Sequence, residues 1–126
     1  MSTLTLFGLP LAPLYFAIAQ VESDNGLTSA NVYQLSKAYV HDVNYVAVRR
    51  YSFRDDDRYI RWKAEAMMCE YLAYYGEEYR HRTGNLPTYE VLARIHNGGP
   101  NGWRKPSTLK YWAKVKRELE KKGSVK

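Results

Sequence analysis

One glutamate in this chain of 126 residues stands where a proton donor could work. Glu22 directly follows an apolar helical stripe and precedes the turn sequence Asp24-Asn25-Gly26. The stripe consists of Leu14, Ala17, Ile18 and Val21. A carboxyl at the rim of an apolar core has a raised pKa, because burial penalises its charged form. A raised pKa keeps the acid protonated near neutral pH, as general acid catalysis requires. The alternative interpretation is a surface glutamate at a helix end.

Two further polar segments could face such an acid. The segment Val32–Leu35 carries Tyr33 and Gln34, and the segment Arg94–Gly102 carries Asn97 within a run of glycines. Glycines let the backbone approach a ligand closely. We interpret the Asn97 segment as one wall of a binding cleft.

Hydrophobic periodicity predicts that five helices position these residues, with at most a small β-hairpin. The first helix begins near Pro13, and Ser36 is the expected N-cap of the second. The β-branched and aromatic residues between Leu27 and Leu35 are the expected place for the hairpin or an extended strand.

The central helix is predicted over residues 58–82, with Gly84 at its C-terminal end. Its expected inward residues are Ile60, Ala64, Met67, Met68, Tyr71, Leu72 and Tyr75. Pro87 and Thr88 open the fourth helix, which carries Tyr89, Leu92, Ala93 and His96 along one side. Pro106 and Ser107 open the last, with an apolar stripe of Leu109, Trp112, Val115 and Leu119.

Length and composition indicate one globular domain over residues 1–126, since 45% of the residues are hydrophobic and 25% are charged. Residues 1–12 form an apolar lead-in expected to pack under the domain, and residues 122–126 a basic tail expected to fray. No Lys or Arg precedes the apolar N-terminal stretch, and prolines interrupt it. This pattern argues against a signal peptide and against a transmembrane segment.

The basic charge is concentrated at the C-terminus. The net charge is +6, whereas Arg104–Lys126 alone has nine Lys/Arg and two Asp/Glu, a net charge of +7. An anionic polymer or a phospholipid surface is a natural partner for such a patch. A solvated helix face is the alternative. Nucleic-acid binding is the less favoured reading, because the spacing of Trp112 and Leu109 is typical of core residues.

Other chemistries lack their residue patterns. His41, His81 and His96 have no second ligand at metal-binding spacing, so we expect no metal and no other cofactor. The glycine run does not follow a predicted strand and lacks the Lys-Ser/Thr ending of a phosphate-binding loop. No serine or cysteine stands in a nucleophile context.

The strings "AIAQVES", "NVYQL" and "LARIHNGGPNGW" followed by "TLKYW" resemble the lysozyme-like superfamily of muramidases. The likeness is greatest to invertebrate-type lysozymes and their phage and bacterial relatives, and covers roughly residues 14–119. The chain is also similar to goose-type lysozymes and lytic transglycosylases. Their comparable loop has tyrosine where this chain has His96.

The resemblance implies a mainly α, lysozyme-like α+β fold. It also implies an enzyme that cleaves the glycan backbone of peptidoglycan between N-acetylmuramic acid and N-acetylglucosamine. It implies that Glu22 is the general acid and that Tyr33 and Gln34 lie beside the cleft floor. The residues that would border bound sugar are His96, Asn97, Gly98 and Gly99. The basic last helix would bind an anionic cell-wall polymer.

The chain departs from this family between Glu22 and Tyr33, where it is shorter. Aligning "DNG" makes Asp24 the second carboxylate, yet residues two apart on a helix point about 200° apart. Asn31 replaces the usual glycine before the Tyr-Gln element, and asparagine tolerates a left-handed backbone. A single-acid inverting hydrolase, a lytic transglycosylase, and a glycan- or protein-binding domain without catalysis all remain open. Asp42 and Asp55–Asp57 are weaker candidates, explained as a helix-surface residue and as helix-start charges.

Animal members of this group are rich in cysteine, whereas this chain has only Cys69. Stability must then come from packing, which suits a phage or bacterial product. We expect a protein made in the cytoplasm that acts on the cell wall after release or as part of a virion.

Overall fold

The computed structural model describes residues 4–47 and 52–123. The described chain contains one two-stranded sheet and five α-helices, which confirms the expected mainly α class. The strands are β1 (Thr5–Leu6) and β2 (Leu9–Pro10). The helices are α1 (Leu11–Ser23), α2 (Lys37–Val46), α3 (Arg61–Thr83), α4 (Tyr89–Gly98) and α5 (Leu109–Lys121). Three 3-10 turns cover Asp55–Tyr59, Gly102–Arg104 and Pro106–Thr108.

The hairpin lies in the N-terminal lead-in, where Leu6 pairs antiparallel with Leu9. The two residues between the strands, Phe7 and Gly8, have φ values of 53° and 79°. Phe7 packs over Gly76 of α3, since a Cβ at Gly76 would lie 2.5 Å from the Phe7 ring. The lead-in therefore packs against the domain as a hairpin.

The expected hairpin or strand between Leu27 and Leu35 is wrong, because this segment forms turns and bends. Backbone N–H and C=O groups of this segment form hydrogen bonds to nearby side chains instead of to a second strand. The Asn31 side chain accepts from the N–H of Leu35 at 3.0 Å and donates to the Leu35 carbonyl at 2.8 Å. The Ser23 hydroxyl donates to the carbonyl of Val32 at 2.6 Å. These bonds occupy groups that strand pairing would need.

Capping residues predicted from sequence set several helix ends. Ser36 accepts a hydrogen bond from the N–H of Tyr39 at 3.0 Å, and Thr88 caps α4 through Val91 at 3.2 Å. Gly84 ends α3 with a φ of 77°. α1 begins at Leu11, two residues before Pro13, which a first helical turn tolerates.

The core forms where α1 packs on α5 and where α3 packs on both α2 and α4. Its most deeply buried members include Leu14, Ile18, Met67, Met68, Leu72, Leu92, Ile95 and Leu119. Two predicted core residues are exposed instead: Ile60 at 41% and Leu109 at 50%. Ile60 has an extended backbone just before α3 begins, so it does not follow the inward face of that helix. Leu109 lies at the junction of a 3-10 turn with α5.

The tail prediction concerns residues 122–126, of which 124–126 lie outside the described residues; α5 ends at Lys121. Within residues 4–47 and 52–123, no helix combines the length and the apolar character needed to cross a bilayer.

Candidate active site

A cavity of about 400 Å³ lies where the end of α1, the turn before α2, α2, α3 and the end of α4 meet. Its lining consists of Glu22, Gln34, Leu35, Ser36, Ala38, Tyr39, Asp42, Tyr71, His96, Asn97 and Gly99. Ligand sites in proteins commonly occupy about 300–1,000 Å³. Five of the residues predicted from sequence thus meet at one cavity: Glu22, Gln34, His96, Asn97 and Gly99.

Glu22 occupies the last turn of α1 and is partly buried. Burial raises the pKa of its carboxyl above the ordinary value of 4.5, because the apolar surroundings penalise the charged form. Two groups of α5, the Tyr111 hydroxyl and then the Lys114 ammonium, act in the opposite direction and lower this pKa. Burial outweighs both, so the carboxyl holds its proton to a higher pH than an exposed glutamate does.

The Tyr111 hydroxyl is buried, and no acceptor within the described chain lies in hydrogen-bonding geometry with it. The Tyr111 hydroxyl therefore acts on Glu22 as a nearby polar group. Burial and the neighbouring Glu22 charge raise the pKa of Tyr111 well above 10, so its phenol stays protonated. A protonated hydroxyl beside Glu22 favours the ionised carboxylate.

Asp24 lies outside this cavity. It is the C-terminal cap of α1, with φ and ψ near 51° and 49°, and it is exposed. Asn25 also has a left-handed backbone, at a φ of 57°. The helix does end at Ser23, yet the turn that follows leaves the Asp24 carboxylate at the surface. The Gln20 amide approaches this carboxylate at 3.5 Å.

Tyr33 is only 1% exposed and belongs to the core. Its hydroxyl donates a hydrogen bond to Glu65 of α3, and its ring meets Tyr15 edge-to-face at 6.1 Å between centroids. The structure therefore places the Tyr33 side chain in the core rather than in the lining of the cavity.

Gln34, the neighbour of Tyr33, lines the cavity and has a φ of 53°. Its side-chain amide donates to the carbonyl of Asn31 at 2.8 Å. The left-handed residue of this element is therefore Gln34, whereas Asn31 has a negative φ. Asn31 contributes through its side chain, which ties the turn to Leu35 as described above.

His96 is buried at the end of α4, and its Nδ1 lies 3.0 Å from the Tyr39 hydroxyl. Burial lowers the pKa of the imidazole to about 4, because the charged ring would lose its hydration. His96 is consequently neutral at the pH of most cells. When the Tyr39 hydroxyl donates to Nδ1, the proton of the ring is on Nε2 and remains a donor.

The Tyr39 ring continues a row of aromatic side chains across α2 and α3. It stacks on Tyr71 with 4.1 Å between ring centroids, and Tyr71 meets Tyr75 edge-to-face at 4.9 Å. Tyr39 and Tyr71 both line the cavity. Two rings of this row therefore form an aromatic part of the cavity wall.

The C-terminal end of α4 and the turn after it form another part of the cavity wall. Asn97 is exposed, and Gly99 has a φ of 89°. A Cβ added to Gly99 would lie 4.0 Å from the Tyr71 hydroxyl. Gly98 faces the other way, since its Cβ would lie 2.5 Å from the methyl group of Thr108. Gly98 shapes the turn and does not line the cavity.

Polar contacts fasten the end of α4 to the segment that precedes α5. Arg94 donates to the Thr108 hydroxyl at 2.8 Å, to the Lys105 carbonyl at 3.0 Å and to Glu90 at 2.8 Å. The Lys105 ammonium donates to the carbonyl of Gly98 at 2.7 Å. The contacts to Thr108, Lys105 and Gly98 hold the glycine turn against the segment that precedes α5.

Asp42 is the lining residue that sequence reasoning undervalued. It was explained as a helix-surface residue, yet it is partly buried in the cavity. The Tyr75 hydroxyl lies 2.9 Å and 3.1 Å from its two carboxylate oxygens. The available signal was its spacing from Tyr39, because residues three apart share one face of a helix.

A second cavity, of about 590 Å³, runs along the side of α3. It is lined by Val46, Glu70, Ala73, Tyr74, Glu77, Glu78 and His81. It is larger, but it draws on only two elements and contains neither the Glu22 carboxyl nor the glycine turn. The smaller cavity gathers residues from five elements, including the buried His96, and is the better candidate active site.

The chain is similar to lysozymes of oysters. It is 34% identical over 95 residues to a lysozyme of Ostrea edulis, covering 75% of this chain and 64% of that protein. A lysozyme of Magallana gigas is 54% identical over 41 residues, which are 32% of this chain and 30% of that protein. Lysozyme 1 of Crassostrea virginica is 46% identical over 41 residues, 32% of this chain and 22% of that protein.

No family model matches the chain. The chain spans less than two thirds of the length of each of these relatives. Over three quarters of its own length, it is nevertheless similar to a lysozyme.

Proposed function

We propose that this chain is a muramidase, a glycoside hydrolase that cleaves peptidoglycan between N-acetylmuramic acid and N-acetylglucosamine. The observation that carries the proposal is the position of Glu22. Its carboxyl has a raised pKa and lines the same cavity as Asn97 and Gly99. The similarity to oyster lysozymes supports the same activity.

In this reaction Glu22 protonates the glycosidic oxygen as the bond to the sugar carbon breaks. Burial favours the uncharged carboxyl, so Glu22 holds this proton to a higher pH than an exposed glutamate does. The leaving sugar departs as an alcohol, and positive charge develops on the remaining ring. After the step Glu22 is a carboxylate, which Tyr111 and Lys114 help to accommodate.

The remaining lining residues hold the glycan. Asn97 and Gln34 offer amide groups to sugar hydroxyls and N-acetyl groups, and Gly99 exposes its backbone to close approach. Neutral His96 adds a donor or acceptor without placing a second positive charge beside the developing cation. Tyr71 supplies an aromatic surface. The Tyr33 and Gly98 contributions are indirect, through the core and the turn.

The fate of the sugar cation separates two forms of the enzyme. A hydrolase adds water, whereas a lytic transglycosylase lets a hydroxyl of the same sugar attack and releases an anhydro product. Mass spectrometry of released muropeptides distinguishes them, because the anhydro product lacks one water.

The position of Asp24 favours one alternative function. With this aspartate exposed and outside the cavity, the family's second carboxylate is missing from its expected place. A domain that binds glycan or a protein partner without cutting would fit that geometry. Binding of chitooligosaccharide or peptidoglycan without released fragments identifies it.

The basic face of α5 fits an anionic cell-wall polymer. Lys110, Lys114, Lys116 and Arg117 are all exposed. We propose that this face docks the protein, as one domain over residues 1–126, on the wall. We also propose a phage or bacterial origin, with synthesis in the cytoplasm and action after release or from a virion.

The direct test is clearing of peptidoglycan suspensions by the unchanged protein, Glu22→Gln and the matched control Glu120→Gln. Glu120 is exposed on α5, away from the cavity. We expect clearing and muropeptide release by the unchanged protein and the control, and loss of at least about 100-fold in Glu22→Gln, as for removal of a general acid. Equal activity of all three proteins would remove the proposed mechanism, and inactivity of all three would remove the enzyme assignment.

A further inference from the structure

Asp42 is the second carboxylate in the cavity that contains Glu22. The two belong to different helices, α2 and α1, and both line this cavity. Among the described residues that line this cavity, Glu22 and Asp42 are the carboxylates. Glycoside hydrolysis generally uses two carboxyl groups that flank the scissile bond, and these two are the carboxyl groups of this lining.

Tyr75 fixes the orientation of Asp42. Its hydroxyl donates to the carboxylate and lies within 3.1 Å of both oxygens, while the phenol itself is 8% exposed. The Tyr75 ring is held by edge-to-face contacts with Tyr71 and with Tyr74, at 4.9 and 5.0 Å between centroids. Each carboxylate oxygen has two lone-pair sites. One hydroxyl proton leaves acceptor capacity on Asp42 for a water molecule or a sugar hydroxyl.

The other aspartates of the described chain are badly placed for this role. Asp24 is exposed at the end of α1 and lines no part of the cavity. Asp55 and Asp56 are exposed at the start of a 3-10 turn, and Asp57 accepts the backbone N–H of Arg54 at 2.8 Å. Among the aspartates of the described chain, Asp42 is therefore the one in the cavity lining that could act together with Glu22.

We propose that Asp42, held by Tyr75, is the catalytic base that activates the attacking water. This inference rests on the proposed muramidase function. Asp42 takes one proton from water as the water oxygen forms a bond to the anomeric carbon. The bond from that carbon to the glycosidic oxygen breaks, and its electron pair stays on the oxygen, which takes the proton of Glu22. Asp42 ends protonated and Glu22 ionised, and exchange with solvent restores both.

The test compares Asp42→Asn, Asp24→Asn and Glu22→Gln with the unchanged protein and Glu120→Gln. Turnover is measured on peptidoglycan, and binding on a chitooligosaccharide. For Asp42→Asn we expect kcat to fall by about 100-fold or more, with oligosaccharide affinity changed less than about threefold. Retention of a third or more of kcat in a folded Asp42→Asn would overturn the inference. So would loss of turnover in Asp24→Asn alone.

Chemical rescue separates a base from a structural residue. Azide needs no deprotonation to attack a sugar cation, so sodium azide is expected to restore turnover of Asp42→Ala and to release a glycosyl azide. A merely structural role predicts no such product. Absence of rescue in a folded, glycan-binding Asp42→Ala would contradict the role of base.

Tyr75→Phe tests the positioning step and also covers the case of an Asp42 variant that fails to fold. The phenylalanine ring keeps the aromatic contacts and removes only the hydroxyl. We expect kcat to fall by roughly tenfold at unchanged KM, since the substrate contacts stay while the base loses its orientation. An unchanged kcat would overturn the inference. Failure of the muramidase function itself looks different, because Glu22→Gln would then equal the unchanged protein or both would be inactive.

Discussion

Acid destabilises this protein through His96, and the size of the effect follows from its burial. The imidazole has a pKa of about 4 in the folded chain and about 6.5 when unfolded. The unfolded chain therefore binds a proton that the folded chain refuses as the pH falls below 6.5. Stability is complete above pH 6.5 and is lost progressively down to about pH 4.

The magnitude follows from the two pKa values. Linkage gives a loss of about 1.2 kcal/mol at pH 5.5 and about 2.8 kcal/mol at pH 4, relative to pH 7. The full shift applies because the ring is only 8% exposed. For a chain of this length an unfolding entropy of about 2.1 cal/mol/K per residue turns the larger figure into a fall in Tm of about 11 °C.

Urea unfolding at pH 7, 5.5 and 4 measures this effect when the unchanged protein is compared with His96→Gln. Glutamine keeps a side chain that can bond to Tyr39 but does not titrate. The difference in the free energy of unfolding between the two proteins should shift by the amounts given above as the pH falls. Asp57, whose pKa is lowered below 3.8 mainly by its hydrogen bond to the Arg54 backbone, affects both proteins alike and cancels in the difference. Parallel stability curves for the two proteins between pH 7 and 4 would refute the burial argument.

Three other predictions follow from the same structure. Because the Tyr111 hydroxyl lowers the pKa of Glu22, Tyr111→Phe should move the alkaline limb of the pH–kcat profile to higher pH; an unmoved or acid-shifted limb contradicts this. Because the folded-state pKa of Glu22 is raised, ionisation above pH 4.5 costs stability, and Glu22→Gln should raise the Tm at pH 7 while abolishing activity; a lowered Tm would count against it. Gly102→Ala places a Cβ 2.0 Å from the Arg94 carbonyl oxygen and should lower the free energy of unfolding by about 3 kcal/mol or more. Gly84→Ala has open space around the new Cβ and should lower it by only about 1 kcal/mol. Thermal unfolding measures both, and equal losses would refute the close approach at Gly102.

The sequence was informative where a local rule determines the structure. Ser36 and Gly84 set helix ends because capping depends on one or two neighbouring residues. The raised pKa of Glu22 could be expected because its place after an apolar stripe implies burial. The hairpin was misplaced because it uses Phe7 at a positive φ, a conformation that phenylalanine rarely adopts.

Residues brought together from distant segments were harder to predict. Asp42 accepts a hydrogen bond from Tyr75, which is 33 positions away in the sequence. Tyr33 was expected beside the cleft floor, but its partner Glu65 lies 32 positions away and anchors it in the core. Neither pairing leaves a periodic signal. The prediction that Ile60 and Leu109 are core residues was wrong for a related reason. Each lies next to a 3-10 turn, which takes its side chain off the inward face of the helix that follows.

Lys114 lets the last helix influence the acidity of Glu22 as well as contribute to the basic surface. The same ammonium that faces solvent on the basic surface also lowers the pKa of Glu22. Counter-ions that gather on this surface weaken that attraction, so rising ionic strength makes Glu22 a weaker acid. By the same argument, a polyanion bound over Lys114 would raise the pKa of Glu22, and the carboxyl would keep its proton to a higher pH.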